Sequence, residues 1–324
     1  MGTLEIITAL TKTFIIILPG FVLKKMGILT REYTQGMSSL ITCITYPCLV
    51  ISAMQMEFSM RVLDNCKYVV LIFMCVIVIA MLLSKLIARI LKLPASRSGM
   101  LAFMLVFGNT GFIGLPVLNG LFGSEAVFYG ALCDASYDLF MFTVGISLIQ
   151  SSAAEESKRR VSETLKGLIN PCFFGVITGL ILYISGTTLP DIIGGPVKSI
   201  GSVTSPLAMI IVGSHLADIR FRELFTNKYS YLVCLLKLIV APAIALVLVR
   251  LIIGTGSLLS TVIVIQAAMP VAMCSVIFSE QYKADVSFAT KGVLLTTLMC
   301  IFTIPLFAVL LQNIEPRCLL CKGV

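Results

Sequence analysis

Ten apolar stretches of about bilayer length follow one another along this chain, near residues 3–23, 36–56, 68–91, 98–122, 126–150, 167–185, 196–216, 229–253, 257–279 and 286–312. A helix needs roughly 20 mostly apolar residues to cross the hydrocarbon core, so each stretch can serve as one span. Charged residues make up 12% of the sequence and the mean hydropathy is +1.03. Soluble domains carry about a quarter charged residues, so this chain lacks the polar surface of a water-soluble body. The expectation is an all-α integral membrane protein with ten transmembrane helices. Apolar stretches that leave almost nothing for an aqueous domain exclude a soluble enzyme and a nucleic-acid binder, and the net charge of +8 is scattered among short connectors rather than gathered on one face.

The cations set the orientation. Connectors after segments 1, 3, 5, 7 and 9 hold Lys24, Lys25, Arg31; Lys85, Arg89, Lys92, Arg97; Lys158, Arg159, Arg160, Lys166; Arg220, Arg222, Lys228; Lys283 and Lys291, sixteen in all. The other side holds six: Arg61, Lys67, Lys198, Arg250, Arg317 and Lys322. The positive-inside rule puts the first set in the cytoplasm and both termini outside a multi-pass plasma-membrane protein. Segment 1 is expected to remain, since Glu5 precedes it, Lys24 and Lys25 follow it, and no small-x-small cleavage pattern appears.

Of eleven cysteines, Cys43, Cys48, Cys75, Cys133, Cys172, Cys234, Cys274 and Cys300 lie inside apolar segments, where a thiol acts as a small hydrophobe. Cys318 and Cys321 form a lone CxxC. A zinc site needs two more ligands, and the single histidine, His215, sits at the end of a distant segment, so no metal and no cofactor are expected.

The most charged connector, 151–166, divides the chain into a first five-segment repeat (1–150) and a second (167–312), followed by a short external tail (313–324). Five segments per half is an odd number, so the second half enters the membrane inverted. The halves echo one another. Thr45-Tyr46-Pro47 in segment 2 matches Thr204-Ser205-Pro206 in segment 7, and Pro116 in segment 4 matches Pro270 in segment 9. Matching breaks in inverted halves are the sequence mark of secondary transporters, whose binding sites lie where broken helices meet.

Segment 4 carries Phe107-Gly108-Asn109-Thr110-Gly111-Phe112-Ile113-Gly114-Leu115-Pro116 at its middle. Three glycines and a proline predict two half-helices, the second starting near Pro116, which has no N–H to leave unpaired at a helix start. Such a start suits an anion, and Asn109 and Thr110 add polar groups on the unwound stretch. A glycine-kinked helix packed on its neighbours is the plainer alternative. Segment 9 offers the counterpart, Gln266-Ala267-Ala268-Met269-Pro270-Val271-Ala272-Met273-Cys274-Ser275, where Pro270 among small residues makes the break or a simple kink. Asp134 and Asp138 share one face of segment 5, and intramembrane carboxylates commonly line an ion path. Lys237 is the one cation deep in an apolar run. It either serves the pathway, pairs with one of these acids, or snorkels to the surface. His215 reads as an end-of-helix residue.

Asn109-Thr110-Gly111-Phe112 with Gly114-Leu115-Pro116, then Ala268-Met269-Pro270, Ser205-Pro206-Leu207-Ala208-Met209 and Thr303-Ile304-Pro305, resemble the auxin efflux carrier family of bacterial permeases, which is similar to the plant PIN-formed auxin carriers. The resemblance covers essentially the whole chain. It implies a five-plus-five inverted repeat, with segments 1, 2, 6 and 7 as scaffold and the broken fourth and ninth helices crossing in a moving part. It implies small organic anions as substrates, such as auxin or dicarboxylates like malate and malonate. The short central linker departs from the long cytoplasmic loop that plant members can carry. Substrate-binding candidates are Asn109, Thr110, Gly111, Gly114, Pro116, Gln266, Met269 and Pro270; ion-coupling or pathway candidates are Asp134, Asp138 and Lys237.

The function to expect is secondary transport of organic anions by alternating access, as voltage-driven uniport, with proton or sodium symport through Asp134 or Asp138 as the alternative. HExxH, GxSxG and a second acidic motif are lacking, which argues against an enzyme; no GxxxxGK[ST] supports ATP-driven pumping. The partners are a small organic anion and the lipid bilayer, a homodimer being left open. Cysteine labelling of intact cells is expected to reach position 318 and to miss a cysteine placed at 155–163; labelling of that connector from outside would reverse the orientation.

Overall fold

The computed structural model of the chain describes residues 3–150, 171–217, 228–282 and 284–314. The expected linker at 151–166, and the tail with Cys318 and Cys321, lie outside these residues apart from Asn313 and Ile314. In the first half the helices are α1 Thr3–Ile15, α2 Ile17–Lys25, α3 Arg31–Leu40, α4 Tyr46–Ala53, α5 Met60–Ile90, α6 Ala95–Val106, α7 Leu115–Phe122, α8 Ser124–Phe140 and α9 Ile146–Gln150. The second half has α10 Pro171–Ile184, α11 Asp191–Ser202, α12 Thr204–Ala217, α13 Lys228–Leu235, α14 Ala241–Ile252, α15 Leu258–Ala267, α16 Cys274–Gln281 and α17 Val286–Asn313. Helix occupies each apolar segment, and among the described residues the only β pairing is a single bridge. Among the described residues five helical stretches are long and apolar enough to cross a membrane: Arg31–Ala53, Met60–Ile90, Asp191–Ala217, Tyr229–Ile252 and Val286–Leu311.

Among the described residues four π-helical turns adjoin the α-helices, at Ile41–Thr45, Thr110–Gly114, Met141–Gly145 and Leu236–Val240. Three of them end two residues before a proline, at Pro47, Pro116 and Pro242. Proline removes one i→i−4 hydrogen bond and its ring crowds the carbonyl four residues back. Widening the turn upstream relieves that crowding without ending the helix. This corrects the expectation at Pro116. Helix runs through it without interruption from Thr110 to Phe122, so the second half-helix of segment 4 starts six residues earlier, and Gly111 and Gly114 are helical rather than unwound. His215 sits in the last turn of α12, as read from the sequence.

Contacts divide the chain into two compact units, each drawing on both sequence halves. The first comprises Met1–Val69, Gly111–Ala135 and Ile169–Asp218; the second comprises Val70–Thr110, Ser136–Leu168 and Ile219–Val324. In the first unit α2 packs on α12, and α4 packs on both α10 and α11. Glycine makes these approaches. A Cβ on Gly20 would overlap the Ile210 carbonyl, one on Gly213 would overlap the Ile17 carbonyl, and one on Gly175 would stand 2.7 Å from Pro47 Cα. In lipid, where apolar surface gains nothing by leaving water, such backbone proximity is what binds helices. Tyr183 closes the rim by accepting from the Ser59 N–H at 2.8 Å and donating to its carbonyl at 3.2 Å.

In the second unit α17 packs against α6, α13, α15 and α16. Its N-cap Asp285 accepts from the Phe288 N–H at 3.0 Å and from Arg97 Nε of α6 at 2.9 Å. A reciprocal capping box between Ser257 and Ser260 starts α15, which accounts for a sharp helix start after Gly256.

Gly20→Ala and Gly213→Ala are each expected to destabilise the purified protein by about 1–3 kcal/mol, because α2 and α12 must separate along their length. Lower melting temperatures in detergent would register this, whereas parental melting would show that the close approach is dispensable.

Candidate functional site

Two breaks in helix meet inside the second unit. Helix α6 ends at Val106, and Phe107, its C-cap, is extended. Helix α15 ends at Ala267, and α16 resumes at Cys274. Between them Gly108 and Val271 form an antiparallel bridge, with Asn109 N–H donating to the Pro270 carbonyl at 2.7 Å and Ala272 N–H donating to the Phe107 carbonyl at 3.1 Å. The Val271 N–H turns away to Thr296 Oγ1 of α17 at 3.1 Å, and that hydroxyl donates to the Gly292 carbonyl at 2.8 Å. Pro270 has no N–H to satisfy. Unwound backbone at membrane depth therefore finds its partners within the protein, as the absence of water requires.

The candidates gather here in part. Asn109 is 5% exposed, and Thr110, Gln266, Met269 and Pro270 are buried. Gln266 lies in the last turn of α15, where its carbonyl accepts from Met269 N–H at 3.3 Å. Ser275, which ends the segment-9 stretch but is not among the site candidates, lies in the first turn of α16. It is 0% exposed, and its hydroxyl has no hydrogen-bond partner among the described residues. A buried hydroxyl of that kind is a costly feature, and it sits where helix N–H groups begin. Serine at a helix start is too common for the sequence alone to mark it.

Lys237 does not snorkel. It lies on the π-helical turn Leu236–Val240 and is 0% exposed. Its ammonium donates to the carbonyls of Leu105 at 3.3 Å and Val106 at 3.1 Å and lies 5.6 Å from the centre of the Tyr137 ring. The carboxylate partner that the sequence suggests is thus replaced by main-chain oxygens. Gly108 makes room: a Cβ there would stand 3.1 Å from Lys237 Nζ and 3.4 Å from the Met269 carbonyl.

A separate cluster belongs to the first unit. Tyr46, at the start of α4, donates its hydroxyl to Asp134 Oδ2 of α8 at 2.5 Å. Gly111 faces the pair, since a Cβ there would lie 3.1 Å from Asp134 Oδ2 and 3.4 Å from Tyr46 Cε2. Gly114 and Pro116 are buried in the helix beyond it. Asp138 is half-buried one turn further along α8. Tyr46 escaped the sequence reading because nothing local ties it to a residue 88 positions away.

Residues 5–308 match the family model described as membrane transport protein. An uncharacterized transporter of Methanocaldococcus jannaschii is 27% identical over 305 residues, spanning 92% of this chain and 96% of that one. Another, from Methanothermobacter thermautotrophicus, is 25% identical over 319 residues, spanning 96% of this chain and 99% of that one. A probable auxin efflux carrier component 9 of Oryza sativa subsp. japonica is 28% identical over 123 residues, or 38% of this chain and 29% of that one. These relatives are transporters, not enzymes. The chain belongs to the membrane transport protein family, the auxin efflux carrier group that its fourth-segment motif resembles, and is a multi-pass membrane protein.

Proposed function

We propose that this protein is a secondary transporter of small organic anions, carboxylates above all, working by alternating access in the plasma membrane with both termini outside. The observation that carries the reading is the pairing of Phe107–Asn109 with Pro270–Ala272, since two broken helices meeting at their breaks is the arrangement from which transporters build substrate sites. Thr110 and Cys274 begin the half-helices that leave this crossing, and their first N–H groups offer partial positive charge to a carboxylate. Asn109, Thr110, Gln266 and Ser275 supply polar side chains, while Met269 and Pro270 shape the floor. Gly111, Gly114 and Pro116 act on the helix that follows rather than on the ligand.

The wider architecture we infer is ten spans in a five-plus-five inverted repeat. In support, segment 2 packs on segment 6 through α4 and α10, while segment 7 packs on segment 1 through α12 and α2, the exchange of partners that inversion generates. A symport reading also has an observation in its favour. Asp134, half-buried in an apolar segment and hydrogen-bonded to Tyr46, is placed to carry a proton.

Asn109→Ala and Ser275→Ala are each expected to weaken apparent affinity for a transported organic acid about tenfold or more, the loss of roughly one charge-assisted hydrogen bond, while insertion and melting stay parental. Normal affinity in both variants would move the site elsewhere. Voltage gives a second expectation. A monoanion leaving an inside-negative compartment gains about 2.3 kcal/mol per 100 mV, so outward flux from proteoliposomes under a potassium-diffusion potential should rise as the interior is made more negative, without a proton or sodium gradient. Flux that ignores voltage and follows a sodium or pH gradient would transfer the function to coupled symport.

A further inference from the structure

We propose that Lys237 is a tethered cation that occupies, on the end of α6, the position a dissociable coupling ion takes in other transporters with broken helices. The inference rests on reading the crossing as the transport site. In such transporters the unwound carbonyls and the carbonyl ends of half-helices coordinate Na⁺ or H⁺, because those oxygens carry partial negative charge and lack intrahelical partners. Here the last-turn carbonyls of Leu105 and Val106 accept from the Lys237 ammonium at 3.3 and 3.1 Å. The Tyr137 ring face, 5.6 Å away, adds an attraction suited to a cation.

Two features mark the arrangement as built for the ammonium. Gly108 lies against it, and any Cβ at that position would stand 3.1 Å from Nζ and 3.3 Å from Cε. The carbonyl end of α15 is finished differently: Val264, Ile265 and Gln266 accept from the N–H groups of Ala268 and Met269. Among the described residues, only one of the two half-helix ends therefore holds a lysine amine. A cation tethered to the chain cannot leave as a metal ion does, so this position does not couple transport to a sodium gradient, and while protonated it stabilises a bound carboxylate. The substrate class that follows is an anion whose own charge is the charge moved.

The test uses the purified full-length protein, melted in sodium, potassium or choline chloride at equal ionic strength. The unmodified protein is expected to melt at the same temperature in all three. Lys237→Ala is expected to melt lower in choline and to recover by about 4 °C or more in sodium, which can enter the vacated carbonyl site; Lys237→Arg should remain indifferent to the salt. Sodium-specific stabilisation of the unmodified protein overturns the proposal. So does a Lys237→Ala variant that is as stable as its parent, or one that is destabilised without recovering in sodium. If Lys237→Ala does not fold, Lys237→Met takes its place under the same criteria, and if that fails too, the salt response of the unmodified protein decides. Malonate flux in proteoliposomes separates the two levels of argument. Absence of flux with every organic acid defeats the transport reading, whereas melting that contradicts the expectation beside intact, voltage-driven flux defeats only the role of Lys237.

Discussion

Each of the two breaks is possible only because the other exists. A three-residue extended stretch in lipid exposes donors and acceptors that water cannot reach, at several kilocalories per mole for each unsatisfied group. Phe107–Asn109 and Pro270–Ala272 cancel that debt by pairing with one another, and Thr296 takes the Val271 donor left over. The pairing joins residues more than 160 positions apart, so the ends of α6, α15 and α16 are defined together. Asn109, Gln266 and Ser275 are therefore held on or next to these two breaks, each buried.

Proline is handled differently elsewhere in the chain. At Pro47, Pro116 and Pro242 the helix widens into a π turn and continues, so a lost hydrogen bond does not become a break. The contrast with Pro270 is physical. There the flanking residues have a second extended strand to pair with; at the other three the cheapest available repair is local.

Much of this was legible in the sequence. Gly108 and Pro270 marked the two breaks, the ten apolar stretches located the helices, and an ammonium deep in an apolar run announced Lys237 as unusual. What could not be read was how each irregularity is resolved. The segment-4 glycines suggested a long unwound stretch ending at Pro116, yet only Phe107–Asn109 leaves helix, because a π turn has no residue signature and can absorb a proline anywhere upstream of it. The partner of Lys237 was sought among carboxylates, since side-chain identity shows charge but not the unpaired carbonyls that a helix end creates. Tyr46 and Ser275 stand in stretches that the sequence reading quotes, but nothing local singles either out as a site residue: Tyr46 matters for its bond to Asp134, 88 positions away, and Ser275 for a buried hydroxyl at the start of α16.

Helix α17 gives the second unit its mechanical character. It anchors the first turn of α6 through Asp285 and Arg97, and through Thr296 it grips the break in segment 9 that is itself laced to the other end of α6. The short helix is thereby clamped fore and aft to a 28-residue strut. Sliding or turning of α6 about its axis would have to break bonds at both ends together. An opening of this helix would therefore have to break main-chain and side-chain bonds at both of its ends at once.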